Sequence, residues 1–366
     1  MWMLYITLIS SVFLVVYYLM IFGRLLFYKA SPHSTNSDFP VSIIICARNE
    51  EANLRTNLIK IIKQDYHGKF EVLVIDDHSS DHSLSWLKQL STEYDKLRVI
   101  PFRDNKKFKG KKEALAFGIS QAKYDYILLT DADCQPASPH WLQLMSGSLT
   151  DKELVLGFGA YKPQAGLTNK LLRWETLQTA MQYMSLALAG SPYMGVGRNL
   201  AYKRQLFTST NGFQDHQHIA SGDDDLFISK VSNADNTGIM AAADSFTWSE
   251  GPGDLVSWWR QKRRHLSTGP FYKKQTKLIL GLYSFMSLLF YMVLLSGIFL
   301  GTESTLFWLT IISKFIIQSF VFIPLAIRFR CKEILWLFPV WELLVTFFLV
   351  LIHLQNQWIG NPKTWK

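Results

Sequence analysis

Apolar and polar residues divide the chain into three zones. Residues 1–23 are almost unbroken apolar sequence, from Met1 to Gly23, long enough to span a bilayer. No Lys or Arg precedes this run and no A-x-A-like cleavage site follows it, so it reads as a membrane helix and not as a signal peptide. Arg24 and Lys29 come next, and the positive-inside rule then places the following region in the cytoplasm. A polar linker, "SPHSTNSDFP", occupies residues 31–40. Beyond it the period changes. "VSIIICA" (41–47) is a short β-branched run expected of a strand buried on both faces. "NEEANLRTNLIKIIKQ" (49–64) has helical spacing with Asn49 as candidate N-cap. "FEVLVIDD" (70–77), "LRVIPF" and "YDYILLTDAD" read as three further strands, alternating with helices over "SDHSLSWLKQLSTEY" and "GKKEALAFGISQA". Such alternation predicts an α/β domain with a mostly parallel sheet.

The third zone opens at residue 253. "LVSWWRQKRRHLSTGPFYKKQTK" is aromatic and basic, is interrupted by Pro270, and reads as an amphipathic segment on a membrane surface. Three apolar stretches follow, at about 278–300, 305–327 and 334–354, each long enough to cross. "GTES" separates the first two and "RFRCK" the last two, which puts the former outside and the latter inside. The terminal "NPKTWK" then falls outside despite its two lysines, so the last stretch is either a full crossing or a partly re-entrant one. The expected organisation is a transmembrane helix (1–29), a linker (30–40), a cytoplasmic α/β domain (41–252), an interface segment (253–277) and a membrane region of about three helices (278–366).

Composition narrows the class. Aromatic residues at 14%, with 12 Trp, and charged residues at only 18% fit a chain that lies partly in lipid. The net charge of +9 fits anionic headgroups or an anionic substrate. The basic residues gather beside the apolar stretches, which argues against a nucleic-acid partner. Cys46, Cys134 and Cys331 lie far apart without ligand-like spacing, so neither a zinc site nor a disulfide framework is expected.

Four charged clusters carry the candidate chemistry. Asp76 and Asp77 end the second strand, and Asp131-Ala-Asp133 ends the fourth. In parallel sheets ligands lie beyond the carboxyl ends of the strands, which raises both pairs above ordinary turn formers. A carboxylate at 76 or 77 suits a nucleobase N–H or a ribose hydroxyl, with a helix cap as the bland alternative. Asp131 and Asp133 suit one ligand and one hard divalent cation, since Mg²⁺ and Mn²⁺ take oxygen donors and bridge phosphates. "SGDDDLF" (221–227) crowds Asp223, Asp224 and Asp225 together. Crowding lifts a carboxylate's pKa toward the range of a general base, while the alternative is a solvated loop capping the helix that begins near Leu226. "RQKRRH" (260–265) is either a diphosphate clamp or a juxtamembrane basic belt. Arg198 in "GVGRNLAYKR" is either an acceptor or phosphate contact or an ordinary surface cation. The Met-rich helix within 174–190 reads as packing surface.

In order along the chain, "VSIIICARNEE", "VLVIDDHSSD", "GKKEALAFG", "TDADCQP", "GDDD" and "QKRRH" resemble the motifs of membrane-integrated family 2 glycosyltransferases. These are the inverting, GT-A-type group that includes cellulose, chitin and hyaluronan synthases and ceramide glucosyltransferases. The resemblance covers about 41–269. It implies a GT-A, nucleotide-diphospho-sugar transferase fold: a Rossmann-like, mostly parallel α/β sheet with transmembrane helices at both ends. It assigns Asp224 as base and Asp133 as the ligand of Mg²⁺ or Mn²⁺. Asp76, Asp77, Lys111, Asp131, Gln261 and Arg264 become donor-binding residues, and Arg198, Asp223 and His265 acceptor-side residues. The implied partners are a nucleotide-sugar donor, by likeness UDP-linked, a lipid or lipid-linked glycan acceptor, and membrane lipids. The implied location is a bacterial inner membrane with the catalytic domain in the cytoplasm. His265 stands where the family usually carries Trp, and the few membrane stretches leave little for a polymer channel. Both points favour transfer of one sugar over processive synthesis; a silent scaffold that keeps the fold is the remaining alternative.

Overall fold

The computed structural model describes residues 2–29, 37–103, 111–217, 219 and 221–360, which fall into two compact units. One draws on Lys29–Lys162 and Pro192–Pro252, the other on Met1–Tyr28, Pro163–Ser191 and Gly253–Asn361. The linker residues 30–36 and the terminal "NPKTWK" lie outside the described residues.

The first unit is built on ten strands: β1 (Val41–Ala47), β2 (Phe70–Asp77), β3 (Leu97–Phe102), β4 (Tyr126–Leu129), β5 (Gln135–Pro136), β6 (Leu154–Leu156), β7 (Gly159–Tyr161), β8 (Leu200–Lys203), β9 (Thr237–Ile239) and β10 (Thr247–Ser249). Seven form one sheet in the order β3-β2-β1-β4-β8-β6-β9. β1 lies parallel to β2 and β4, and β2 parallel to β3; β8 runs antiparallel to both β4 and β6. The sheet is therefore mostly parallel with one reversed strand, and the carboxyl ends of β1, β2 and β4 share an edge. A second small sheet, β5-β10-β7, packs behind the turn that follows β4.

β1 and β2 are buried on both faces, which their unbroken β-branched runs require. Ile43, Ile45, Val72 and Val74 pack against Leu54, Leu58, Ile61 and Leu87. On the other face the helix Lys111–Gln121 comes close because Gly118 has no side chain. A Cβ there would sit 2.9 Å from Ile75 and 3.0 Å from Ile44. Glu71 is a buried acid inside β2, held by Ser42 (2.6 Å), the Lys123 amide (2.6 Å) and Arg98 (2.6 Å). Asn199 ties the two sheets, accepting from Trp141 (3.0 Å) and donating to the carbonyls of Phe158 and Ser245.

Asn49 does not cap the following helix. It adopts φ +54° and accepts from the Ser80 amide (2.7 Å), pinning the loop after β2 to the loop after β1. In the helix Glu51–Ile62 the N-cap position is Glu50, and the first helical amide, that of Glu51, donates to Asp81 at 3.3 Å. A side chain from across the sheet edge thus does the capping.

The second unit holds four helices long and apolar enough to cross a membrane: Trp2–Leu26, Lys274–Phe299, Thr305–Arg328 and Lys332–Ile359. The helix Leu167–Leu188 belongs to this unit, with Trp174 stacked on Phe322 at 4.3 Å. The helix Leu255–Leu266 is amphipathic as expected, but its cations are not a free belt. Lys262 pairs with Glu175 at 2.5 Å, and Arg263 reaches Asn356 (3.0 Å) and the Gly360 carbonyl (2.9 Å).

Inside the four-helix group lies a fully buried polar network. Glu342 accepts from Tyr18 (2.6 Å), Tyr291 (2.6 Å), Gln318 (2.8 Å) and Lys314 (3.2 Å), one or two partners from each of the other three helices. A single charge at the centre of a lone membrane helix costs about 2.5–3.5 kcal/mol on insertion scales. Pairing inside the group removes much of that cost and selects the register in which these groups meet. Lys314→Met alone or Glu342→Leu alone should therefore destabilise the detergent-solubilised protein by about 3–5 kcal/mol, while the double substitution comes much closer to wild type. Denaturant unfolding of the four proteins measures this, and additive losses would show that the pair is not coupled.

Candidate active site

The parallel strands deliver their carboxylates to one edge. Asp76 is closed off completely: Arg103 donates to its Oδ2 at 2.8 Å and to its backbone carbonyl at 2.9 Å. Asp77 is 4% exposed and lies 2.9 Å from Nδ1 of His78, whose backbone takes φ +55°. A left-handed non-glycine residue directly after a strand is a strained feature of the kind found at ligand sites.

Asp131 and Asp133 flank the turn after β4. A carboxylate oxygen from each and the Sγ of Cys134 lie within 4.8 Å of one another. Lys111 donates to Asp131 in a half-buried ion pair. Burial opposes the charge on Lys111, but Asp131 and Asp223 outweigh it and hold the ammonium above the usual lysine range. Asp133 is pushed up to about 6, first by burial and then by Asp131, with Arg198 pulling the other way. Oxygen donors set this close, on mutually repelling carboxylates, fit a hard divalent cation. The Cys134 thiol donates to Asp133 at 3.4 Å and is kept protonated by its burial.

Arg198 is no ordinary surface cation. Its guanidinium lies over the Tyr161 ring at 4.5 Å and donates to Ser249 at 3.0 Å. Its backbone carbonyl accepts from Thr130 and Thr247, one beside each sheet, both at 3.0 Å.

The helix cap that the sequence offered as one reading of the acidic run is present at Asp224. This residue is the N-cap of the helix Asp225–Val231, accepting from the Asp225 amide at 2.8 Å. Its Oδ2 also accepts from the Gly197 amide at 2.9 Å. Unlike a solvated cap it is pushed up to about 7, by burial first and then by Asp223 and Asp225. A Cβ on Gly197 would lie 3.7 Å from the Asp224 carboxylate and 3.8 Å from Nζ of Lys111, so the two groups approach one point. Cys46, at the end of β1, binds the picture together. Its thiol is pushed up to about 12 by burial, and Lys111, Asp131, Asp77 and Asp223 all act on it.

The structure thus gathers Asp77, Lys111, Asp131, Asp133, Arg198, Asp223 and Asp224 around one rim, with Asp76 preceding Asp77 at the end of β2. Gln261, Arg264 and His265 lie on the helix Leu255–Leu266 of the other unit. Sequence reading missed Lys112, although its place beside Lys111 was a signal. It is 7% exposed and donates to the carbonyls of His216 and Ile219. Burial pulls it down to about 8, against Asp223, Asp225 and Asp224.

Residues 42–209 match the family described as "Glycosyl transferase family 2". Among proteins this chain is similar to, the probable glycosyltransferase YdaM of Bacillus subtilis is 26% identical over 233 residues, 61% of this chain and 54% of that protein. A β-monoglucosyldiacylglycerol synthase of Trichormus variabilis is 29% identical over 238 residues, 63% of this chain and 48% of that protein. The chain spans about half the length of the curated relatives it matches. The mannosyltransferase PcManGT from Pyrobaculum calidifontis, solved with GDP-Man and Mn²⁺, shares the fold at a TM-score of 0.63 and 16% identity, covering 98% of this chain and 100% of that one.

The elevated Asp224 carboxyl should take up its proton as the pH falls through about 7. Asp223→Asn removes a neighbouring negative charge, so ionisation becomes easier and the midpoint moves down. The carboxyl C=O band in pH-difference infrared spectra, identified by its loss in Asp224→Asn, reads this directly; a midpoint in the ordinary aspartate range contradicts the geometry.

Proposed function

From the premise that residues 42–209 are a Glycosyl transferase family 2 domain, we propose that the chain moves one sugar from a nucleoside-diphospho sugar to a hydroxyl of a lipid or lipid-linked acceptor, inverting the anomeric carbon. The single observation that carries this reading is the convergence of Asp224 with Lys111, Asp131 and Asp133 at the carboxyl edge of the sheet. The four apolar helices support action at a membrane, with the α/β unit on the cytoplasmic side of a bacterial inner membrane. The lipid product in the name of the Trichormus relative supports the acceptor class.

Each residue has a stated task. Asp77 accepts from the nucleoside, and Asp76, held by Arg103, fixes the end of β2 beside it. Lys111 offsets the negative charge of the donor end. Asp131 meets nucleotide or sugar. Mg²⁺ or Mn²⁺ held by Asp133 would neutralise charge on the departing diphosphate. Asp224 takes the acceptor's hydroxyl proton as that oxygen bonds to the anomeric carbon and the bond to the diphosphate breaks. An acid raised to about 7 is matched to this task near neutral pH. Arg198 and Asp223 border the acceptor side. The parts of Gln261 and Arg264 in donor binding, and of His265 in acceptor binding, rest on the motif resemblance.

Full-length protein in detergent, supplied with a panel of nucleotide sugars and membrane lipids with and without Mn²⁺, should form a singly glycosylated lipid identifiable by mass. Long polymer products would favour a processive synthase, and no product with any donor a silent scaffold. Asp224→Asn should lower kcat by ~10²–10⁴ while donor binding stays near wild type. Asp133→Ala should instead lose the metal-dependent part of donor affinity, measured by calorimetry. Near-normal turnover in the first variant, or unchanged affinity in the second, would remove the corresponding assignment.

A further inference from the structure

Three consecutive residues at the start of the helix Lys111–Gln121 reach two different stretches of the chain. Lys111 pairs with Asp131. Lys112 points the other way, its Nζ 2.7 Å from the His216 carbonyl and 2.9 Å from that of Ile219. Glu113 accepts from the Gln217 side chain at 3.1 Å. His216, Gln217 and Ile219 belong to the stretch that runs directly into Ser221, Gly222, Asp223 and Asp224. Among its described residues the amides of His216 and Ile219 donate to the carbonyls of Phe213 and His216, each at 3.1 Å, and Asp215 pairs with Lys230 at 2.5 Å. It enters the acidic triplet through Gly222 at φ +102°, where any Cβ would meet Leu226 at 2.7 Å.

A lysine that gives up its water to sit against two backbone carbonyls pays heavily in hydration, and a plain packing contact would be better made by an apolar side chain. What a cation adds here is direction and charge. It draws two carbonyl dipoles to a fixed point on a rigid helix, and it stands among three clustered acids that repel one another. The helix that holds the donor-side acid through Lys111 therefore also holds the segment carrying the acceptor-side acid.

We propose that Lys112 is a positioning residue that sets the place of Asp224 relative to Asp131 by clamping the His216–Ile219 carbonyls to the same helix end. This rests on the reading of Asp224 as base. Lys112 itself touches neither donor nor acceptor, so its effect falls on the chemical step. A displacement of about 1 Å at a reacting group can cost ~10²-fold in rate.

The test compares Lys112→Met and Lys112→Arg with wild type in detergent, reading kcat, donor KM and hydrogen exchange of peptides covering 213–225. The expected result is a kcat for Lys112→Met lower by ~10–100-fold, donor KM within about threefold, and faster exchange confined to those peptides. Lys112→Arg, which keeps a cationic donor, should recover most of the loss. A wild-type kcat in Lys112→Met overturns the proposal. So does a joint change of kcat and KM with exchange raised throughout the unit and no recovery by Arg, the signature of general unfolding. If Lys112→Met does not fold, Lys112→Gln is read by the same criteria. An active Asp224→Asn would instead overturn the base assignment, and the exchange data would still report whether the clamp exists.

Discussion

The rim at the carboxyl edge of the sheet depends on charge compensation. Asp131, Asp133, Asp223 and Asp224 are drawn into a space where two unit charges about 4 Å apart repel by about 4 kcal/mol at an effective dielectric of 20. Lys111 makes that arrangement tolerable, because its ammonium pairs with Asp131 and acts on Asp223. Where compensation is incomplete the carboxyls are raised above the usual aspartate range, Asp133 and Asp224 first by burial and then by neighbouring acids. The same incompleteness underlies the proposed chemistry, in which a cation is held at one end of the rim and a proton is accepted at the other.

The scaffold supplies this crowding at modest cost. Parallel strands end on one edge by construction, and the loops after β1 and β2 are locked to one another by Asn49, Ser80 and Asp81. The reversed strand β8 brings Gly197 and Arg198 to the end of β4, and Gly197 leaves the space in which Lys111 and Asp224 approach. The unit of long apolar helices shows the same pairing. Lys314 and Glu342 are buried together with two tyrosines and a glutamine, and Lys262 with Glu175. In both units buried acids such as Glu71, Asp76 and Glu342 meet a cation from another part of the chain.

Much of the fold was legible in the order of residues. β1, β2 and β3 fall where the apolar runs predicted; β1 and β2 are buried on both faces and carry apolar residues on both, while β3 is a half-buried edge strand. The strand-end acids were legible because a carboxylate directly after such a run has no packing reason to be there. Other features were hidden. Asn49 looked like a cap by local rule, but its partner is Ser80, 31 residues away. Lys112, Lys314 and Glu342 drew no reading from the sequence, since only the contacts they make across the chain give them meaning.

By itself, then, the sequence determined the element types, the apolar helices long enough to cross a bilayer, and the chemistry on offer at each strand end. Those properties follow from local periodicity and from the burial each residue type tolerates. The tertiary structure alone decided which acid keeps its proton, which lysine faces which carboxylate, and which basic residues of the amphipathic helix are already engaged. Such outcomes depend on distance and desolvation between residues far apart in the chain, and no local pattern encodes either quantity.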